Sequence, residues 1–180
     1  DSKTTYRYDD INKLLLSIKF EDFSNGTNTI TTSYIYNDKK QVSDKTETTP
    51  YAVFTKNFSY DAVGRLVTEN FMAKVLRSGK SSAKKINYNY KNGSQYQITD
   101  ELNAILWQTN TINARGQLLT AQNGPLTITN SYDNGYNLQS KFDKTASSTN
   151  IMSLNTSFNT QTGNLNNRSN TLFAWNESFK

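Results

Sequence analysis

Three pairs of adjacent carboxylates punctuate the chain: Asp9-Asp10, Glu21-Asp22 and Asp100-Glu101. Paired carboxylates perform acid–base work on glycosidic bonds, but only where they converge across a substrate. Adjacent strand residues point to opposite faces, so none of these pairs converges and catalysis by them is not expected. Gly79-Lys80-Ser81 matches the end of a phosphate-binding loop. That motif's earlier glycine would fall at position 74, which is Lys74, and without it the backbone does not wrap a phosphate. Residues 71–85, FMAKVLRSGKSSAKK, carry the one sustained basic bias. Anionic glycans, nucleic acid or a membrane surface suit such a run. A solvated loop between two hairpins accounts for it too, and is the expectation. Trp107 and Trp175 are candidate glycan contacts, since exposed rings stack on sugars. Rings at strand spacing more often pack against one another. Sequons such as Asn25-Gly26-Thr27 and Asn155-Thr156-Ser157 arise by chance in an Asn- and Thr-rich chain, and matter only in a eukaryotic secretory setting.

The elements that position these groups follow from composition. The chain has no histidine and no cysteine. That removes the commonest general base, the thiolate nucleophile, disulfides and the usual zinc ligands. No cofactor and no metal are expected, and no nucleophile–base pair is visible, so an enzyme is disfavoured. The 180 residues suffice for one domain or for a piece of a longer array. The net charge of +5 is mild and reads as a solubility feature, without the dense basic stripe of nucleic-acid binders. No run approaches bilayer length, so no transmembrane segment is expected, and the start shows no signal-peptide character. Eleven Tyr and nine Phe among abundant Thr, Ser and Asn indicate a folded, strand-rich chain.

The strand signal repeats. Tyr60-Asp61-Ala62-Val63-Gly64-Arg65-Leu66 is its clearest copy. Tyr8–Leu14, Tyr36–Val42, Tyr90–Tyr96, Ile112–Leu118 and Tyr132–Leu138 align with it without a gap, and Phe158–Leu165 with one extra residue. The Leu-equivalent positions are 14, 42, 66, 96, 118, 138 and 165, an irregular repeat of about two dozen residues. Where Asp or Asn follows the aromatic-rich strand, its side chain accepts a hydrogen bond from the backbone two residues on. Asp9, Asp61 and Asp133 are the expected turn acceptors, and Gly64 and Gly163 the turn glycines. Arg65 is expected over a neighbouring Tyr or paired with Asp61. Leu66 opens the return strand. Each copy therefore reads as a β-hairpin. Ile30, Tyr34 and Tyr36 share a strand face; Leu126, Ile128 and Tyr132 do so opposite Thr127, Thr129 and Ser131. Asn123-Gly124 signals a two-residue hairpin loop with Pro125 at a strand start. A lone hairpin cannot bury its aromatic face, whereas side-by-side hairpins can pack Tyr8, Tyr36, Tyr60, Tyr90 and Tyr132 in a row.

The Tyr-Asp-x-x-Gly-Arg-Leu signature, repeated in weakened form from Tyr6 to Leu165, resembles the YD repeat of the Rhs family. That family includes bacterial Rhs polymorphic toxins, C subunits of insecticidal Tc toxins, and the teneurins. The resemblance implies an all-β strip of repeated antiparallel hairpins, curved and twisted, forming part of a shell around a C-terminal toxin or other effector. No match to the self-cleaving Rhs core is present, so no cleavage residues carry over. The expectation is one array, residues 1–180, of about seven repeats within a much longer secreted or surface protein, non-catalytic, with neighbouring repeats and an enclosed effector as partners and no nucleic acid. Residues 177–180 resemble the run-in to a further copy. Open sheet edges imply self-association. The alternative is a carbohydrate-binding adhesin module using Trp107 and Trp175.

Overall fold

A computed structural model describes residues 1–24 and 28–179. Among them no helix occurs and fifteen strands do. The first seven are β1 (Ser2–Tyr8), β2 (Leu15–Asp22), β3 (Asn28–Tyr36), β4 (Val42–Thr48), β5 (Ala52–Tyr60), β6 (Leu66–Val75) and β7 (Ser81–Lys91). Then come β8 (Ser94–Asp100), β9 (Ile105–Ile112), β10 (Leu118–Asn123), β11 (Leu126–Tyr132), β12 (Leu138–Lys144), β13 (Asn150–Phe158), β14 (Leu165–Asn170) and β15 (Trp175–Ser178). Strand order follows sequence order from β1 to β15 in an antiparallel sheet. This is the all-β, repeated-hairpin architecture that the Tyr-Asp copies imply.

The chain divides into two compact units, Asp1–Tyr88 with Asp100–Leu102, and Asn89–Thr99 with Asn103–Lys180. Within the first, register assigns chemistry to faces. Phe20 lies opposite Ile30, Phe58 opposite Glu69, and Glu69 opposite Ile86, on one face. Ser33 lies opposite Thr46, Thr46 opposite Thr55, and Ser59 opposite Thr68, on the other. Within the second unit, Ala121, Ile128, Asp143 and Met152 form one cross-strand row. Gln97, Gln108, Gln122 and Thr127 form another, on the opposite face. Each unit thus has a ring-and-aliphatic face and a hydroxyl-and-amide face, as period-two alternation dictates.

Neither face is roofed. Among the described residues no large side chain is fully buried, and the buried apolar residues are Ala121 and Ile128, at 0% and 5% exposure. A second layer would normally complete a core. Here shielding comes from same-face neighbours on adjacent strands, about 4.5–5.5 Å away.

Three details of register depart from the sequence alignment. Tyr8 pairs with Leu15, not Leu14, so the first turn carries an extra residue like the seventh. Tyr96 lies inside β8 instead of opening it. Asn92 and Gly93, with φ of 51° and 82°, close a two-residue loop there, a geometry that matches strand twist. The β10–β11 loop is Gly124-Pro125, because Asn123 still pairs with Leu126. Gly124, with φ of 54°, takes the first loop position that a type II′ turn gives to glycine.

Candidate functional site

The described residues gather their repeated chemistry at the hairpin turns. In the clearest copy the Asp61 Oδ1 accepts from the Val63 N–H at 3.0 Å and the Arg65 N–H at 2.9 Å. The Asp61 N–H donates to the Arg65 carbonyl at 2.9 Å, and Gly64 N–H to the Asp61 carbonyl at 3.0 Å. Arg65 Nε donates to Asp61 Oδ2 at 2.7 Å. Backbone and side-chain donation from Arg65 holds the Asp61 carboxyl below its ordinary value. Gly64 sits at φ 89°, where a Cβ would meet Gln41 Nε2 at 3.3 Å.

The same five-residue loop recurs with other residues. Asn37 Oδ1 accepts from Lys39 and Gln41, and Asn113 Oδ1 from Arg115 and Gln117. Asp133 Oδ1 accepts from Asn137 N–H at 2.9 Å, a bond that lowers the Asp133 carboxyl. The left-handed position holds Lys40, Gly64, Gly116 or Tyr136. A six-residue version occurs twice. Asp9 Oδ1 accepts from Ile11 and Asn12, and Asn159 Oδ1 from Gln161 and Thr162, with Lys13 and Gly163 left-handed. The Asn12 N–H is the main cause of a lowered Asp9 carboxyl.

Neighbouring hairpins are fastened through these turns. A β-bulge follows each one: Tyr60, for example, pairs with Leu66 and Ser59 with Thr68, which leaves Val67 as the extra residue. The Tyr36 hydroxyl donates to the Leu15 carbonyl at 2.8 Å, and Tyr60 to Val42 at 2.7 Å. Tyr132 donates to Leu118 at 3.0 Å. Each acceptor is the first residue of the preceding hairpin's return strand, just before its bulged position. Bulges interrupt the ladder locally, and the next hairpin's phenol supplies a donor there. Phe158 has no hydroxyl, and Thr156 Oγ1 donates to the Leu138 carbonyl instead. Burial, joined by the Glu69 charge, pushes the Tyr60 phenol above its ordinary value, which keeps it a donor.

A second fastening joins turn to turn. Gln41 Nε2 donates to the Gly64 carbonyl at 2.8 Å, and Gln117 Nε2 to the Tyr136 carbonyl at 2.8 Å. The acceptor in both is the left-handed residue of the following turn. Lys39 Nζ adds a bond to the Ala62 carbonyl at 2.6 Å, and Arg115 lies 3.3 Å over the Tyr136 ring. The glutamine bonds carry no signature in one copy read alone; the shared feature is position, each glutamine closing its own turn and donating to the next, 23 and 19 residues on.

The remaining candidates are placed apart. Asp9 serves its own turn; Glu21 pairs with Lys19, Asp22 caps Ser24, Asp100 caps Leu102 and Glu101 pairs with Lys84. Gly79-Lys80-Ser81 lies at the exposed β6–β7 turn. Tyr90 is the last residue but one of β7, close to the Asn92-Gly93 loop. Trp107, in β9, is half-buried, whereas Trp175, in β15, has Arg168 4.8 Å over its ring. Six strand intervals, about 29 Å of sheet, separate β9 from β15, so these two rings do not form one platform. Asn155 is half-buried in β13; Asn25–Thr27 lie outside the described residues. Among the described residues no cluster of three acidic side chains could hold a metal ion.

Repeated hairpins with Asx-type turns, one layer thick, define a YD-type β-sheet fold. Crystal structures share it. TcdB2-TccC3-TEV matches 94% of this chain at 11% identity with a TM-score of 0.54. TcdB2-TccC3-Cdc42 matches 94% at 13% identity and TM-score 0.52, and TcdB2-TccC3 matches 94% at 12% and 0.52. This chain spans only 10–11% of the length of those chains. No family model matches, and no curated protein matches.

Proposed function

We propose that the chain is a non-catalytic wall segment of a secreted or surface-displayed YD-repeat protein, part of a β-sheet shell enclosing a C-terminal toxin or effector. The observation that carries this is a sheet whose described residues have no roof on either face and whose neighbouring hairpins are bonded at their turns by glutamine amides and tyrosine hydroxyls. Strands about 4.8 Å apart leave no gap for a polypeptide. The hydroxyl face satisfies itself: Thr111 and Thr120 share a hydrogen bond at 2.6 Å, as do Ser131 and Ser140. Such a surface offers little to an unfolded chain. The shared fold with a stretch of TcdB2-TccC3 supports the reading.

The test is limited proteolysis of the full polypeptide that contains this segment. The enclosed C-terminal region is expected to resist cleavage until denaturant opens the sheet. Cleavage there as fast as in that region expressed alone would refute enclosure.

A further inference from the structure

The first unit ends, at its β5–β6–β7 side, in a tip that the turn bonding does not use. β4 stops at Thr48, opposite Val53, while β5 and β6 run one pair further, to Ala52 opposite Val75. The Leu76 N–H donates to the Tyr51 carbonyl at 2.9 Å, which ties the 49–51 and 76–80 turns together. Residues 48–55 and 70–85 contain Lys74, Arg77, Lys80, Lys84 and Lys85 and no acidic residue. Lys84 pairs with Glu101 at 3.2 Å. Among the described residues Lys74, Arg77 and Lys80 form no ion pair, and all three are exposed. Beside these bases stand Tyr51 at 75% exposure, and Val75 and Leu76 at 47% each. Two carboxylates border the tip: Glu101, taken up by Lys84, and Glu47, opposite Phe54 in the register.

Clustered exposed apolar side chains mark a surface with a partner. A nucleic acid is met by charge, hydrogen bonds and, when single-stranded, stacking on a ring such as Tyr51, but it does not use the aliphatic Val75 and Leu76 together with the bases of the tip. A bilayer surface uses both. An amphipathic tyrosine ring rests at headgroup depth, and Lys and Arg stems run along apolar surface to place charge at the phosphates. We propose that this tip docks on an anionic lipid surface, with Tyr51, Val75 and Leu76 entering the headgroup layer and Lys74, Arg77 and Lys80 meeting the phosphates.

The experiment sediments the 180-residue chain with phosphatidylcholine vesicles containing phosphatidylserine, and with phosphatidylcholine vesicles alone. Binding to the anionic vesicles is expected, with little to the neutral ones. Neutralising the tip (Lys74→Gln, Arg77→Gln, Lys80→Gln) should weaken the partition about a hundredfold. Neutralising Lys3, Arg7 and Lys144, which lie outside the tip, changes net charge equally and should weaken it far less. Tyr51→Ser with Leu76→Ser, at unchanged charge, should weaken it about tenfold. Equal losses from both charge variants would reduce the effect to net charge and overturn the proposal. So would binding indifferent to the Tyr51 and Leu76 changes but displaced by a short DNA duplex, which would reassign the tip to nucleic acid. Failure to sediment with either vesicle would also overturn it. Circular dichroism of each variant, all at exposed positions, verifies that the strands persist.

Discussion

At single residues, the turn acceptor and the phenol make separable contributions. Asp9, Asp61 and Asp133 are all held below the ordinary aspartate value of 3.8 by backbone donors. They bind protons less readily folded than unfolded, so their stabilisation is complete above that value and is lost as pH falls through the lower folded one. Stability should therefore drop below about pH 4. Asn37, Asn113 and Asn159 accept the same bonds uncharged. A triple Asp→Asn variant at 9, 61 and 133 should accordingly show a shallower acid dependence of its thermal midpoint; an unchanged slope would contradict the assignment. The phenols give a sharper contrast. Tyr60→Phe and Tyr132→Phe each strand a partly buried carbonyl and should cost about 1 kcal/mol in urea unfolding. Tyr8→Phe should cost nothing, since Tyr8 sits on the first strand, 52% exposed, with no hydroxyl partner among the described residues.

At the level of the hairpin, backbone handedness decides which loops are strained. Gly64→Ala forces a Cβ into a left-handed site already flanked by Gln41, and should destabilise by about 1 kcal/mol. Lys40 occupies the equivalent site at φ 61° with a side chain. Lys40→Gly removes that strain and should not lower the unfolding midpoint. The pitch of these hairpins was legible in the sequence because Tyr, Asp and Gly each carry a local reason for their place. The loop lengths were less so. Leu14 and Leu15 are chemically identical candidates for opening the return strand, and only the pairing of Tyr8 selects Leu15. Asn92-Gly93 is itself a complete turn, and it overrode the weaker aromatic match at Tyr96. The phenol-to-carbonyl bonds were invisible for another reason. Their acceptors lie 21, 18 and 14 residues upstream and are defined by bulges that no residue type announces.

Across the 180-residue segment taken alone, the strand order of the described residues has β1 and β15 each paired on one side only. Unpaired strand edges recruit further strands. Sedimentation velocity should show a mass that rises with concentration; a strict monomer at millimolar levels would contradict open edges. The inter-hairpin bonds through Tyr36, Tyr60, Gln41 and Gln117 all sit at the turns led by Asp or Asn. The opposite loops vary freely, from Gly124-Pro125 to the five residues of 145–149. That asymmetry explains how units spaced 20 to 30 residues apart keep one pattern of fastening. It also means that a loop on the other side such as 145–149, whose hydrogen bonds among the described residues are made within itself, is open ground, where a foreign peptide can be spliced in and displayed without disturbing the rung on which it is mounted.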